Sequence, residues 1–103
     1  MIEVNDRLPS ECTDIAQVRS EIDNIDFEII QLLANRSEYV REVVKYKDGT
    51  ARGIEAADRR AAVLSCRREW AEKAGLNPDV IESIYDKLIK YFISEEMKLI
   101  EKA

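Results

Sequence analysis

From Asp14 to Lys47 the chain runs without a glycine or a proline. Apolar residues recur there at steps of three and four: Ile15, Val18, Ile22, Ile25, Ile29, Leu32, then Arg36, then Tyr39, Val43 and Tyr46. Such alternation without a slip predicts one long α-helix carrying a coiled-coil-like seam. Ile30, Leu33, Val40 and Val44 make a second stripe that widens the face expected to be buried. Asp48-Gly49-Thr50-Ala51-Arg52-Gly53 breaks the pattern and reads as a loop over 48–53. A second helix is predicted from about Ala56 to Ala74, with Val63, Cys66 and Trp70 as its apolar edge and Gly75 as its stop. Asn77-Pro78 then supplies an N-cap and a proline at the first helical position. The third helix runs on to near the end, with rows Ile81, Ile84, Leu88, Tyr91 and Tyr85, Ile89, Phe92. Residues 1–12 read as an arm, and Thr13 or Ser10 is placed to cap the first helix. The fold class is all-α: three helices, the first very long, in a single domain spanning 1–103.

A helix of that length creates a packing problem. Thirty-four residues rise ~50 Å. A compact chain of this size is only about 35 Å across. The first helix therefore overhangs, and its seam would face water at a cost of ~25 cal/mol for each Å². A second copy related by a two-fold axis is the simplest cover, so a homodimer is expected. The competing picture is a bent helix in a monomeric bundle, but neither Gly nor Pro is present to bend it.

Composition narrows the chemistry. The 103 residues carry a net charge of −5, which argues against a nucleic-acid or anionic-membrane binder. There is no histidine, which excludes His-based triads, His-ligated zinc and imidazole acid–base steps. Two cysteines, Cys12 and Cys66, are too few for a disulfide framework and read as reduced thiols. No apolar run approaches the ~18 residues of a membrane span, and the first residues lack the pattern of a signal peptide. The expected location is the cytoplasm.

Against this acidic background, several cations sit on apolar faces. Arg36 occupies a seam position, where an unpaired guanidinium is costly and needs an anion. That anion is either a protein carboxylate, such as Glu28, Glu38 or an acid of the third helix, or a ligand. Lys47 lies 11 residues later and faces the same way, ~16 Å along the axis. Arg19 is ~42 Å from Lys47 along one helix and cannot share a small ligand with it in the same chain. In an antiparallel pair with its dyad near Ile30, Arg19 falls opposite position 41 of the partner, between Arg36 and Lys47. Arg59, one turn before Val63, is a fourth inward candidate, whereas Arg52 and Arg60 are expected in solvent. Cations pointed inward in an acidic protein suit a small polyanion such as a dicarboxylate. Glu96 continues the apolar row Tyr85, Ile89, Phe92. Burial there favours a neutral acid able to donate a hydrogen bond; the alternatives are a pair with a seam cation or a place at the exposed margin.

The stretches Val18–Asp26, Leu33-Ala34-Asn35-Arg36, Tyr46-Lys47, Asp58-Arg59, Trp70–Leu76 and Tyr91–Lys98, in this order and spacing, resemble the type II, all-helical chorismate mutase family. The resemblance covers Pro9 to Lys98 and is nearest to the branch of isochorismate-pyruvate lyases of salicylate and siderophore synthesis. It implies an intertwined homodimer with two sites, each completed by the partner's first helix. By it, Arg36 and the partner's Arg19 clamp substrate carboxylates, Arg59 supports that binding, and Lys47 meets the enolpyruvyl ether oxygen. Glu96 stands where many members have Gln, donating to the same oxygen.

The implied reactions are pericyclic and need no metal, cofactor or nucleophile. A mutase converts chorismate to prephenate for aromatic amino-acid synthesis, and a lyase converts isochorismate to salicylate and pyruvate. Mutases of the family often carry acids three residues before and one after the position of Arg59. Here those positions are Ala56 and Arg60, which favours the lyase with mutase as a side activity. Glu96 leans weakly the other way. A non-catalytic dimeric ligand-sensing module is the alternative of another class.

Overall fold

The computed structural model describes residues 7–46 and 57–102. The first six residues of the arm, Lys47, the predicted loop 48–53 and Ala56 lie outside the described residues. Three α-helices follow in order: α1 (Ile15–Val43), continued by a 3-10 turn Val44–Tyr46; α2 (Ala57–Lys73); and α3 (Pro78–Lys102). The all-helical class and the long first helix agree with the seam pattern. The chain forms two compact units, Met1–Tyr39 and Val40–Ala103, with the unit boundary falling inside α1.

In the first unit a short 3-10 turn, Pro9–Glu11, precedes α1. Its geometry is closed locally. The Leu8 amide donates to Glu11 Oε1 at 2.7 Å, and the Glu11 amide to the Leu8 carbonyl at 2.9 Å. The cap of α1 is neither Ser10 nor Thr13. Asp14 accepts from the Gln17 amide at 2.8 Å, while the Thr13 amide donates to Gln17 Oε1 at 2.9 Å. A carboxylate at this position satisfies an orphan donor and also complements the positive helix end, which a hydroxyl cannot do.

The rest of α1 is unusual in what it leaves uncovered. Ile22, Ile29 and Leu32 are 50%, 48% and 61% exposed, and Ile15, Val18, Ile25 and Tyr39 are exposed with them. The second stripe is buried only in part: Leu33 and Val40 are half-buried, but Ile30 is 62% exposed. The buried residue of α1 is instead a carboxylate, Glu21.

In the second unit, α2 and α3 pack as an antiparallel hairpin. Arg68 near the end of α2 pairs with Asp79 and Glu82 at the start of α3, and Arg60 near the start of α2 pairs with Asp86 further along. The turn between them is fixed by sequence. Gly75 has φ +79°, the Leu76 amide donates to the Ala71 carbonyl at 2.8 Å, and the Gly75 amide to that of Glu72 at 3.1 Å. This is a Schellman stop, which requires a left-handed residue and so favours glycine. Asn77 Oδ1 then accepts from the Asp79 amide at 2.8 Å, capping α3 with Pro78 in the first turn.

The hairpin core is small: Val63 and Ala71 are buried. Trp70, expected on the apolar edge, is exposed. The buried stripe of α2 runs through Arg60, Val63, Leu64, Arg67 and Ala71, leaving Trp70 at its margin. There its ring lies under the Arg67 guanidinium, 4.5 Å away, and Tyr85 of α3 lies 5.6 Å from the same group. Arg67 Nε is buried without a hydrogen-bond partner among the described residues; the two aromatic faces offset part of that loss. On α3 the row Tyr85, Ile89, Phe92 is half-buried, whereas Ile84 and Tyr91 of the parallel row are exposed.

Arg60, expected in solvent, is half-buried and donates to Asp86 at 2.9 Å; Lys90 pairs with the other oxygen of Asp86, also at 2.9 Å. The Lys90 ammonium first, and then the Arg60 guanidinium, hold Asp86 below the usual carboxylate range. A depressed acid contributes stability above its ordinary range and loses it as pH falls through the lowered value. Asp86→Asn is therefore expected to lower the melting temperature by about 2–4 °C at pH 7, with the gap to the parent closing as pH falls through the lowered value. A gap that stays constant across that window in thermal melts would count against the linkage.

Candidate functional site

Arg19 and Arg36 belong to the first unit. Arg19 lies on the second turn of α1 and is exposed. Arg36 is half-buried, and its Nη1 is shielded from solvent. Around it, Leu33 is half-buried, and the Ser37 hydroxyl turns back to donate to the Ala34 carbonyl at 2.6 Å. The two arginines are 17 residues apart on one continuous helix, about 25 Å along its axis. A single copy of α1 cannot bring both to one small anion.

Arg59 and Glu96 belong to the second unit. Arg59, expected on the inner edge of α2, is exposed in the first turn, and the inward-facing cation of that turn is its neighbour Arg60. Glu96 is 5% exposed, the most enclosed acid among the described residues of α3. It follows the half-buried Ile89 and Phe92, and the Phe92 ring meets Tyr91 edge-on at 5.0 Å. Lys47 lies outside the described residues.

The two adjacent acids of α3 have different surroundings. Glu95 pairs with Lys98 at 3.0 Å and accepts from the Tyr91 hydroxyl at 3.4 Å. Lys98 above all, helped by Tyr91 and Arg41, holds its carboxyl below the usual range. Glu95 is thereby fixed as a charged, solvent-facing group, and Glu96 is the acid turned into the protein.

Two polar features escape a reading of the sequence. The Arg67–Trp70 stack has an i, i+3 spacing that could have suggested it, but the third member, Tyr85, is set by the hairpin register. The pair Arg7–Glu21, at 2.9 Å, joins residues 14 positions apart, and no periodicity points to it.

Comparison with known proteins now bears on these positions. Residues 18–97 match the family described as chorismate mutase type II, a span that includes Arg19, Arg36, Lys47, Arg59 and Glu96. The chain is 37% identical over 92 residues to an isochorismate pyruvate lyase of Pseudomonas aeruginosa, covering 89% of this chain and 90% of that protein. It is 40% identical over 82 residues to a T-protein of Haemophilus influenzae, covering 80% of this chain but 22% of that protein. It is 30% identical over 95 residues to a bifunctional chorismate mutase/prephenate dehydratase of Buchnera aphidicola, covering 92% of this chain and 24% of that protein. The chain thus spans nearly all of the first relative and about a quarter of the other two. With a family match across most of its length, the chain belongs to the chorismate mutase type II family.

Proposed function

We propose that the protein is a pericyclic enzyme acting on isochorismate and chorismate, an isochorismate-pyruvate lyase with mutase activity on the side. The observation that carries this is the 37% identity over 92 residues to an isochorismate pyruvate lyase, a match that covers 90% of that protein. Position 60 supports the same choice. Arg60 is occupied by Asp86 in the packing of α2 on α3, so it offers neither an acid nor a free side chain to a ring hydroxyl. In this reading the whole chain is one catalytic domain, with residues 1–12 as an arm and 48–53 as a connector. It works in the cytoplasm, where the thiols of Cys12 and Cys66 stay reduced.

The site is composite. Arg36 of one subunit and Arg19 of the partner subunit hold the two substrate carboxylates, with Arg59 in support. The spacing of Arg19 and Arg36 on α1 and the exposed seam between them both favour a second copy. The clamp holds the enolpyruvyl arm over the ring, a near-attack arrangement. The ether C–O bond then breaks. In the lyase reaction a ring hydrogen passes to the enolpyruvyl methylene as salicylate and pyruvate form; in the mutase reaction a C–C bond forms to give prephenate. Either way negative charge grows on the ether oxygen. Lys47 donates to it, with Glu96 as the second residue set against it, and stabilisation of this kind in a water-poor site is strong.

The decisive assay supplies chorismate and isochorismate separately. Salicylate fluorescence from isochorismate, faster than the loss of chorismate absorbance, is the expected result. Chorismate loss alone makes the protein a dedicated mutase. Neither signal, with thermal stabilisation by a dicarboxylate, makes it a sensor.

For the acid, Glu96→Gln is expected to keep kcat within about threefold at neutral pH, and Glu96→Ala to lose about 10²-fold. A Glu96→Ala variant as active as the parent would remove Glu96 from the site. For the assembly, sedimentation should find the parent a dimer. Ile29→Glu, which brings carboxylates together near the dyad, should yield a monomer with activity reduced at least 10²-fold. A monomeric parent with full activity would overturn the composite site.

A further inference from the structure

Glu21 is 7% exposed on a helix whose apolar residues face solvent. Burying a carboxylate is costly unless it is paired and hydrogen-bonded, and here the chain supplies several donors. Arg7 Nε donates to Oε2 at 2.9 Å, the Arg7 main chain adds a hydrogen bond, and Asn24 Nδ2 donates to Oε1 at 3.4 Å. One turn earlier the Thr13 amide donates to Gln17 Oε1. The segment before α1 is therefore fastened to the helix at two places, Gln17 by Thr13 and Glu21 by Arg7, and Arg19 stands midway between them in sequence.

The placement around the helix is equally specific. Asp14, Gln17, Glu21 and Asn24 share one face at steps of three and four. The seam residues Ile15, Val18, Ile22 and Ile25 lie on a second face. Arg19 is two residues from Glu21, about 200° around the axis, so the fastening leaves both the seam and Arg19 clear. The first turns of a helix lack partners for their amides and fray. An arginine on the second turn is poorly aimed unless that turn is held.

We infer that Arg7 and Glu21 are positioning residues: the clasp they form splints the start of α1 so that Arg19 is presented, ordered, to the substrate carboxylate in the partner subunit's site. This rests on the proposed role of Arg19. The role is in binding rather than bond cleavage, so loss of the clasp weakens substrate affinity and spares the chemical step.

The experiment is a kinetic double-mutant cycle on the full dimeric protein with isochorismate and chorismate. Glu21→Ala, which removes the whole acceptor, is expected to raise KM about 5- to 20-fold with kcat within twofold. Arg7→Ala, which leaves the main-chain bond, should raise KM about threefold, and Arg7→Lys should recover most of that. In an Arg19→Ala background, Glu21→Ala should add nothing, because its effect passes through Arg19. An unchanged KM in Glu21→Ala overturns the clasp's role, as does an effect that persists undiminished without Arg19. So does a loss of kcat and dimer together, which marks mere structural damage. A parent that converts neither substrate overturns the functional reading and this role with it, whereas an active parent with a silent cycle overturns this role alone.

Discussion

Water tolerates a continuous apolar stripe poorly, and α1 presents one along most of its length. At ~25 cal/mol for each Å² left in contact with water, the exposure of Ile15, Ile22, Ile29 and Leu32 is a large standing penalty for a small chain. Monomers seldom leave such a patch bare. The hairpin of α2 and α3 answers its own needs with Val63, Ala71 and a set of ion pairs. Among the described residues of the first unit, nothing answers those of α1, whose one buried side chain is a carboxylate. This imbalance supports the proposed dimer before any family is considered, and the proposed composite site builds on that dimer.

The same helix explains why the cations are spread out. A small dianion needs two positive groups within a few ångströms. On one straight helix Arg19 and Arg36 are held apart by about 25 Å of rise. Two copies running in opposite directions convert that separation into proximity, since residues displaced to either side of a dyad exchange places. In the proposed site, a chain without histidine works by position and charge: guanidinium groups orient the carboxylates, and donors meet charge as it develops.

Much of this was written in the sequence, for identifiable reasons. The seam of α1, the Gly75 stop and the Asn77-Pro78 start are local rules, and the helices obey them. Features that depend on what comes to lie beside a helix were not legible. Arg60 looks like a solvent-facing neighbour of Arg59 until Asp86 arrives from α3. Trp70 looks like core until the hairpin register gives the inner face to Arg67 and Ala71. Asp14 outcompetes the hydroxyls of Ser10 and Thr13 as a cap because it combines an acceptor with a charge suited to the helix end. Of the candidate site, Glu96 was legible as an acid on an apolar row and is buried. Arg59 was not placed correctly by the apolar edge alone and is exposed.

Polar groups in this protein take their character from the company that helix periodicity allows. Glu95 and Glu96 are neighbours in sequence but about 100° apart on α3. One is met by Lys98 and Tyr91 and held ionised; the other is enclosed. Glu21 shows a third outcome, a buried acid kept as an anion by a guanidinium and a main-chain amide. These ionised acids are set apart by the cations that pair with them. That separation matters in an acidic chain, where 21 carboxylate side chains outnumber 16 basic ones. Tying Glu21 to Arg7, Asp86 to Arg60 and Lys90, and Glu95 to Lys98 is how each unit answers its own acids with its own cations.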